Sequence, residues 1–136
     1  MNSLHSLQGL QVVSLEQAVA APLCTQRLVK AGAQVIKIER PQGDFARYYD
    51  TAVAGESSYF VWLNAGKKSV VLNLSIDQDK QSLLQIIHTA DVLVQNLKPG
   101  SLAGLGVDLD LLHAERPKFI SVSISWHSVS LSERDA

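Results

Sequence analysis

A chain of 136 residues with net charge −1 has the size of one ordinary domain, able to bury about two-thirds of its unfolded surface. Its composition, 46% hydrophobic and 18% charged with eight scattered glycines and four prolines, excludes disordered, collagen-like and disulfide-dense classes. No apolar run approaches the roughly 20 residues that span a bilayer, so no membrane association is expected.

The start, Met1-Asn2-Ser3-Leu4-His5, lacks a basic region followed by an apolar core. It therefore predicts no secretory leader and a soluble cytoplasmic protein. The single cysteine, Cys24, has no internal disulfide partner and reads as a small buried hydrophobe. Charge is unevenly distributed. From Arg27 to Lys68 there are seven basic residues against four acidic ones, and from Ser69 onward five against eight. A locally basic stretch in a neutral chain suits a small anionic ligand such as a phosphate ester, and no nucleic-acid partner is expected.

Leu10–Leu15 predicts a first strand, apolar on both faces and so buried on both. Ala20-Ala21-Pro22 opens a helix, with Pro22 in the first turn and Gly32 as the left-handed residue past its end. Gln34–Glu39 is a second strand, completing a βαβ unit, and Pro41-Gln42-Gly43-Asp44 has turn chemistry. Phe45–Gly66 holds most of the aromatic mass and reads as a packed excursion with one short helix. Lys68–Leu74 predicts a third strand. Ser75 and Gln78 have the spacing of a capping box, opening a helix with Ile76, Leu83, Leu84 and Ile87 on one face. Asp91–Gln95 is a fourth strand, Leu97–Gly100 a turn, and one or two short helices precede Arg116-Pro117. Phe119–Ile124 is a fifth strand.

Strands alternating with helices predict an α/β fold, a Rossmann-like, open and mostly parallel sheet with flanking helices. Ligands of such sheets bind beyond the carboxyl ends of the strands, where the strand order reverses. That directs attention to Glu16–Val19, Glu39-Arg40, Asn73, Gln95–Leu97 and Ser125–His127.

No G-x-G-x-x-G follows the first strand and no G-x-x-x-x-G-K-[ST] occurs anywhere, which argues against a conventional dinucleotide domain and against a P-loop. Gly100, Gly104 and Gly106 read as turns and a helix end. His5, His88, His113 and His127 do not cluster at ligand spacing, so no metal site is expected. Ser125 and His127 lack the surroundings of a hydrolase nucleophile. Arg40 leaves a buried strand just before Pro41, where its guanidinium suits a phosphate, or else pairs with Glu39 or Asp44. Asn96 suits a base edge or ribose, or satisfies its own turn.

Taken together, the segments resemble family III CoA-transferases, the group that includes formyl-CoA and carnitine CoA-transferases and the α-methylacyl-CoA racemases. The resemblance runs from about residue 7 to 125. It rests on Leu7–Val13, Ala20-Ala21-Pro22, Ala31–Pro41 and Gly43–Arg47, then on Asn64–Leu74, which fits N-x-x-K-[RK]-S-x-x-L-[DN]-L. Ala90–Gly100 fits A-D-V-x-[VI]-[EQ]-N-[FL]-x-P-G.

The resemblance implies an N-terminal Rossmann-like, CoA-binding domain over residues 1–136, a second domain outside this sequence, and full-length chains that interlock as homodimers. It implies coenzyme A as a substrate, with no further cofactor, exchanged between an acyl-CoA and a carboxylic acid. By motif position the CoA contacts are Val19, Ala20, Arg40, Leu72, Asn73, Leu74, Ser75, Asn96, Leu97 and Lys98. The family's nucleophile is an aspartate that forms an anhydride and then an aspartyl-CoA thioester. That aspartate is expected beyond Ala136, leaving no catalytic residue here. A 2-methylacyl-CoA racemase, or a catalytically inactive CoA-binding fragment or assembly partner, are the alternatives.

The sequence departs from the family pattern in two places. Gly104 replaces an arginine that some members carry, and Trp126–Ser130 replaces the usual Ser-Gly-aromatic continuation of the fifth strand.

Overall fold

The computed structural model describes residues 5–125. Trp126, His127 and the remainder of that departure lie outside the described residues. Five strands form one sheet: β1 (Gln11–Leu15), β2 (Gln34–Glu39), β3 (Lys68–Val71), β4 (Val92–Gln95) and β5 (Ile120–Ser123). Their order is β3-β2-β1-β4-β5, and every neighbouring pair is parallel. The helices are α1 (Ala20–Lys30), α2 (Ser58–Asn64), α3 (Asp77–Thr89), α4 (Ser101–Gly104) and α5 (Leu109–Glu115), with a 3₁₀ turn at Phe45–Tyr48. The α/β, open parallel architecture expected from the sequence is the one found.

Alternation along the buried strands divides the core. Val12, Val35, Val92 and Val94 face α1, where they meet Ala21, Leu28 and Val29. Val13, Leu15, Ile38 and Leu93 face the other way, onto Leu83 and Ile87 of α3, Leu102 of α4 and Leu112 of α5. Leu83 and Leu93 have no exposed surface, and each such side chain contributes about 1.5–3 kcal/mol through burial. The strands β3 and β5 form the edges, where Val71 and Ile120 stay exposed.

Pro22 sits in the first turn of α1, and Gly32 follows its end at φ 104°. Built on that glycine, a Cβ would stand 3.1 Å from the His5 Cα, so side-chain bulk is excluded as well as the wrong φ. The excursion after β2 contains the 3₁₀ turn in addition to the one helix expected.

Several local expectations need correction. The capping box at Ser75 does not form. The helix α3 begins at Asp77 with Ile76 as its N-cap residue, which makes no side-chain cap, and Ile76 is exposed rather than part of the apolar face. The preceding turn is instead tied by Asp79, whose Oδ2 accepts from the Asn73 amide at 2.7 Å, and by Asn73 Oδ1, which accepts from the Ser75 amide at 3.1 Å. The third strand ends at Val71, because the chain from Asn73 to Ser75 enters that turn. Both β4 and β5 are likewise shorter than the segments expected for them, beginning at Val92 and at Ile120, with β5 ending at Ser123.

Candidate functional site

Because β1 leads to β2 and β3 on one side while β4 and β5 lie on the other, the strand order reverses between β1 and β4. The carboxyl ends of these two strands are where a parallel sheet leaves an open crevice. The turn from β1 into α1 crosses this point, and its shape is fixed residue by residue.

Glu16 is buried. Its Oε1 accepts from Lys67 Nζ at 2.7 Å, and its Oε2 accepts from Thr25 Oγ1 at 2.7 Å. Both backbone groups of Gln17 are held by the Asn96 carboxamide, whose Oδ1 accepts at 3.0 Å and whose Nδ2 donates at 2.8 Å. The Ala18 amide donates to Asp44 Oδ1 at 2.8 Å while its backbone sits at φ 67°, rare for an L-residue other than asparagine or aspartate. Val19 and Ala20 follow, both exposed, and no side chain caps the helix they open.

Under this turn lies a charged layer that neither periodicity nor spacing had indicated. Lys37, in the middle of β2 and flanked by Ile36 and Ile38, is 1% exposed and donates to Asp44 Oδ2 at 2.6 Å and Asn64 Oδ1 at 2.9 Å. Lys67 donates to Asn64 Oδ1 and the Pro22 carbonyl, both at 3.0 Å, as well as to Glu16. Burial pulls the Lys67 ammonium below the usual lysine range, and the Glu16 carboxylate only partly counteracts that.

At the end of β2, Arg47 grips Glu39 through two bonds of 2.8 Å, while Ser69 Oγ and the Asp44 amide also donate to it. Burial pushes the Glu39 carboxyl up, but these donors and the Arg47 charge outweigh it and hold the carboxyl at about 2. Three carboxylates thus meet three cations (Glu16, Glu39 and Asp44 with Lys37, Arg47 and Lys67), and the layer is electrically balanced. The sequence signal that could have exposed it was a lysine within an otherwise buried strand, since a buried ammonium requires carboxylate partners.

Arg40 stands apart from this network. It pairs with neither Glu39 nor Asp44, which are taken by Arg47 and Lys37. Its Nε donates to the Gly43 carbonyl at 2.9 Å, and its guanidinium lies over the Phe45 ring, 4.0 Å from the centroid. Among the described residues no acceptor engages its two terminal nitrogens. A planar fork held by a carbonyl and a ring, with four N–H groups left over, is prepared for a phosphate or carboxylate.

A small cleft of about 60 Å³ joins Arg40 to Gln17, Leu74 and Leu97. The Gln17 side-chain oxygen is buried there without a partner among the described residues. A larger cleft of about 750 Å³ lies beyond β4 and β5, lined by Leu97, Lys98, Gly100, Leu102, Val107 and Ser123 among others. Leu97 borders both clefts.

The residues predicted from motif position are thus partly gathered. Arg40, Leu74 and Leu97 share the small cleft, and Leu97 and Lys98 share the large one. Val19, Ala20, Asn73 and Ser75 line neither. The Leu72 side chain belongs to the core, and its amide donates to the Glu39 carbonyl. Asn96 has a role neither sequence reading offered, since its carboxamide secures the neighbouring Gln17 backbone.

Among the described residues no group of three or more His, Cys, Asp or Glu side chains could hold a metal ion, and no helix is long and apolar enough to cross a membrane.

A family model described as CoA-transferase family III matches residues 7–130. The chain is 39% identical over 122 residues to “Probable fatty acyl-CoA transferase Rv3272” of Mycobacterium tuberculosis, covering 88% of this chain and 31% of that protein. It is 36% identical over 126 residues to a succinyl-CoA:mesaconate CoA-transferase of Haloarcula marismortui, covering 89% of this chain and 32% of the relative. The crystal structure of a CAIB/BAIF family protein from Brucella suis superposes with a TM-score of 0.83 at 34% identity, over 94% of this chain and 36% of that one. The chain therefore spans about a third of the length of the curated relatives it matches.

Proposed function

Because the chain belongs to CoA-transferase family III, we propose that it forms the CoA-binding domain of an enzyme that moves CoA between an acyl-CoA and a carboxylic acid. In this reading residues 1–136 are the N-terminal domain of a longer chain, which works as a homodimer. The nucleotide part of CoA lies over the carboxyl ends of β1, β2 and β4, against Val19, Ala20, Arg40, the Leu72–Ser75 turn and Asn96–Lys98. Acyl transfer proceeds through an aspartyl-CoA thioester.

No aspartate among the described residues is assigned as that nucleophile. Asp44, Asp50, Asp79, Asp91 and Asp108 each accept from backbone amides of their own structural surroundings. Asp77, in the first turn of α3, lines neither cleft, and Asp110, in the first turn of α5, lines the larger cleft but not the small one beside Arg40.

The observation that carries the reading is Arg40, a half-buried guanidinium fixed by Gly43 and Phe45 at the carboxyl end of β2, with its terminal nitrogens unused by the described residues. Calorimetric titration of CoA into the full chain and into its Arg40→Ala variant tests it. Saturable binding that weakens by about 1–3 kcal/mol in the variant is expected, the range for a hydrogen bond to a charged group. A folded chain that gives no saturable heat, or a variant that binds equally well, overturns it.

A further inference from the structure

We propose that Asp44 is a positioning residue for the coenzyme: it holds Ala18 in the left-handed conformation and locks the β1–α1 turn to the turn that carries Arg40. The inference rests on the reading of this end of the sheet as the CoA site. Asp44 is 1% exposed, and three donors converge on its carboxylate. The amides of Ala18 and Ala46 reach Oδ1 at 2.8 and 2.9 Å, and Lys37 Nζ reaches Oδ2 at 2.6 Å. Its own amide donates to Glu39 Oε1 at 3.0 Å.

The position is pivotal because of what flanks it on each side. Gly43, immediately before it, supplies the carbonyl that fixes Arg40 Nε. Ala18, bonded directly to Asp44, immediately precedes the exposed Val19 and Ala20. One carboxylate thus sets the spacing between the two ligand-facing turns.

The other two clamps on the β1–α1 turn act differently. Lys67 and Thr25 hold the Glu16 side chain, and Asn96 holds Gln17, neither of which has a positive φ. Only Asp44 grips the residue whose backbone is in a rare region. Without that acceptor Ala18 relaxes toward negative φ, and Val19 and Ala20 move with it. Ligand then binds only the fraction of molecules that retain the turn, so apparent affinity falls by that fraction.

Asp44→Asn separates this role from simple stabilisation. The carboxamide has a single oxygen, and Lys37 takes it, because the ammonium makes the stronger bond and an NH₂ turned toward it repels it; the Ala18 and Ala46 amides are then left facing the NH₂. CoA affinity is expected to drop by about 5–30-fold, the factor set by the ordinary cost of a left-handed L-residue. Hydrogen exchange at the Ala18 amide is expected to quicken by a similar factor.

Adding Ala18→Gly should bring affinity back to within about twofold of the Ala18→Gly single variant, because glycine takes positive φ without help. The buried Lys37 ammonium still lacks the Asp44 carboxylate and the Ala46 amide its acceptor, so the melting temperature should not recover. A purely structural Asp44 predicts the opposite pattern, with binding and stability falling together and no rescue by glycine. A folded Asp44→Asn that binds CoA like the parent overturns the proposal, as does a double variant no better than Asp44→Asn.

Should Asp44→Asn fail to fold, Ala18→Val with Asp44 intact replaces it, since a β-branched residue is strongly disfavoured at positive φ. Weakened CoA binding then supports the proposal, and unchanged binding overturns it. If the parent chain itself gives no CoA heat, the binding-site reading fails. Ala18 exchange still decides whether Asp44 holds the turn: faster exchange in Asp44→Asn, or in Ala18→Val should Asp44→Asn not fold, supports it, and parental exchange overturns it.

Discussion

Replacing Lys67 by methionine should destabilise the domain by about 3 kcal/mol, through the charge it leaves behind rather than the contacts it removes. The Lys67 and Glu16 side chains are 1% and 0% exposed, so water cannot reach either to take over. Breaking a buried pair from one side typically costs about 3–5 kcal/mol. Here the lower end applies, because Lys37 Nζ remains 3.6 Å from Glu16 Oε1 and Thr25 still donates to Oε2.

Against a total stability of about 7–20 kcal/mol for a chain of this length, the loss is large but leaves a folded protein. Urea unfolding of the full chain, with a slope of about 2 kcal/mol/M, should show a midpoint lower by about 1.5 M. The shift should persist in high salt, since buried charges are little screened.

The companion variant Lys67→Met/Glu16→Gln removes the orphaned charge while keeping an acceptor for Thr25, and should regain most of the loss. That recovery follows from the depressed Lys67 pKa, which shows burial costing its ammonium more than Glu16 returns. A single variant within about 1 kcal/mol of the parent, or a double variant no more stable than the single one, would refute the argument.

Glu39 makes stability depend on acid. Its carboxyl sits at about 2, down from an ordinary 4.5, so its contribution is complete above pH 4.5 and is lost as pH falls toward 2. Since Arg47 is 37% exposed, solvent screening limits the loss to about 1–2 kcal/mol. Denaturation curves across that window should show the decline, and Glu39→Gln should flatten it. At the start of α5, Asp108 Oδ1 accepts from the Leu111 amide at 3.0 Å, so Asp108→Ala should cost about 1 kcal/mol in thermal unfolding. No change in melting temperature would mean that water caps that helix equally well.

The fold was legible because its signals are local. Val12 and Val13 are both apolar because β1 is buried on both faces, and a short run of that kind read as a buried strand without any tertiary information. Pro22 and Gly32 bracketed α1 for backbone reasons that hold in any context. Ser75 misled for the complementary reason. Its spacing to Gln78 suits a capping box, but Asp79 reaches back to the Asn73 amide and sets a turn after which the helix begins at Asp77, one residue later than that cap would place it.

For the site, chain order alone was enough to mark the strand ends, and with them Arg40 and Leu97. What it could not assign was partnership. Arg40, Arg47, Lys37 and Lys67 are equivalent as cations in a sequence. Glu16 and Lys67 lie 51 positions apart, and Gln17 and Asn96 lie 79 apart. Only the parallel register brings these residues together, and burial then forces each ammonium onto a carboxylate. That process consumed Arg47, Lys37 and Lys67 and left the Arg40 guanidinium facing the cleft. The sequence by itself determined which elements form and which strand ends share one edge of the sheet; the tertiary structure decided which charges neutralise one another and which guanidinium stays outside that network, because desolvation acts only once the chain has closed around them.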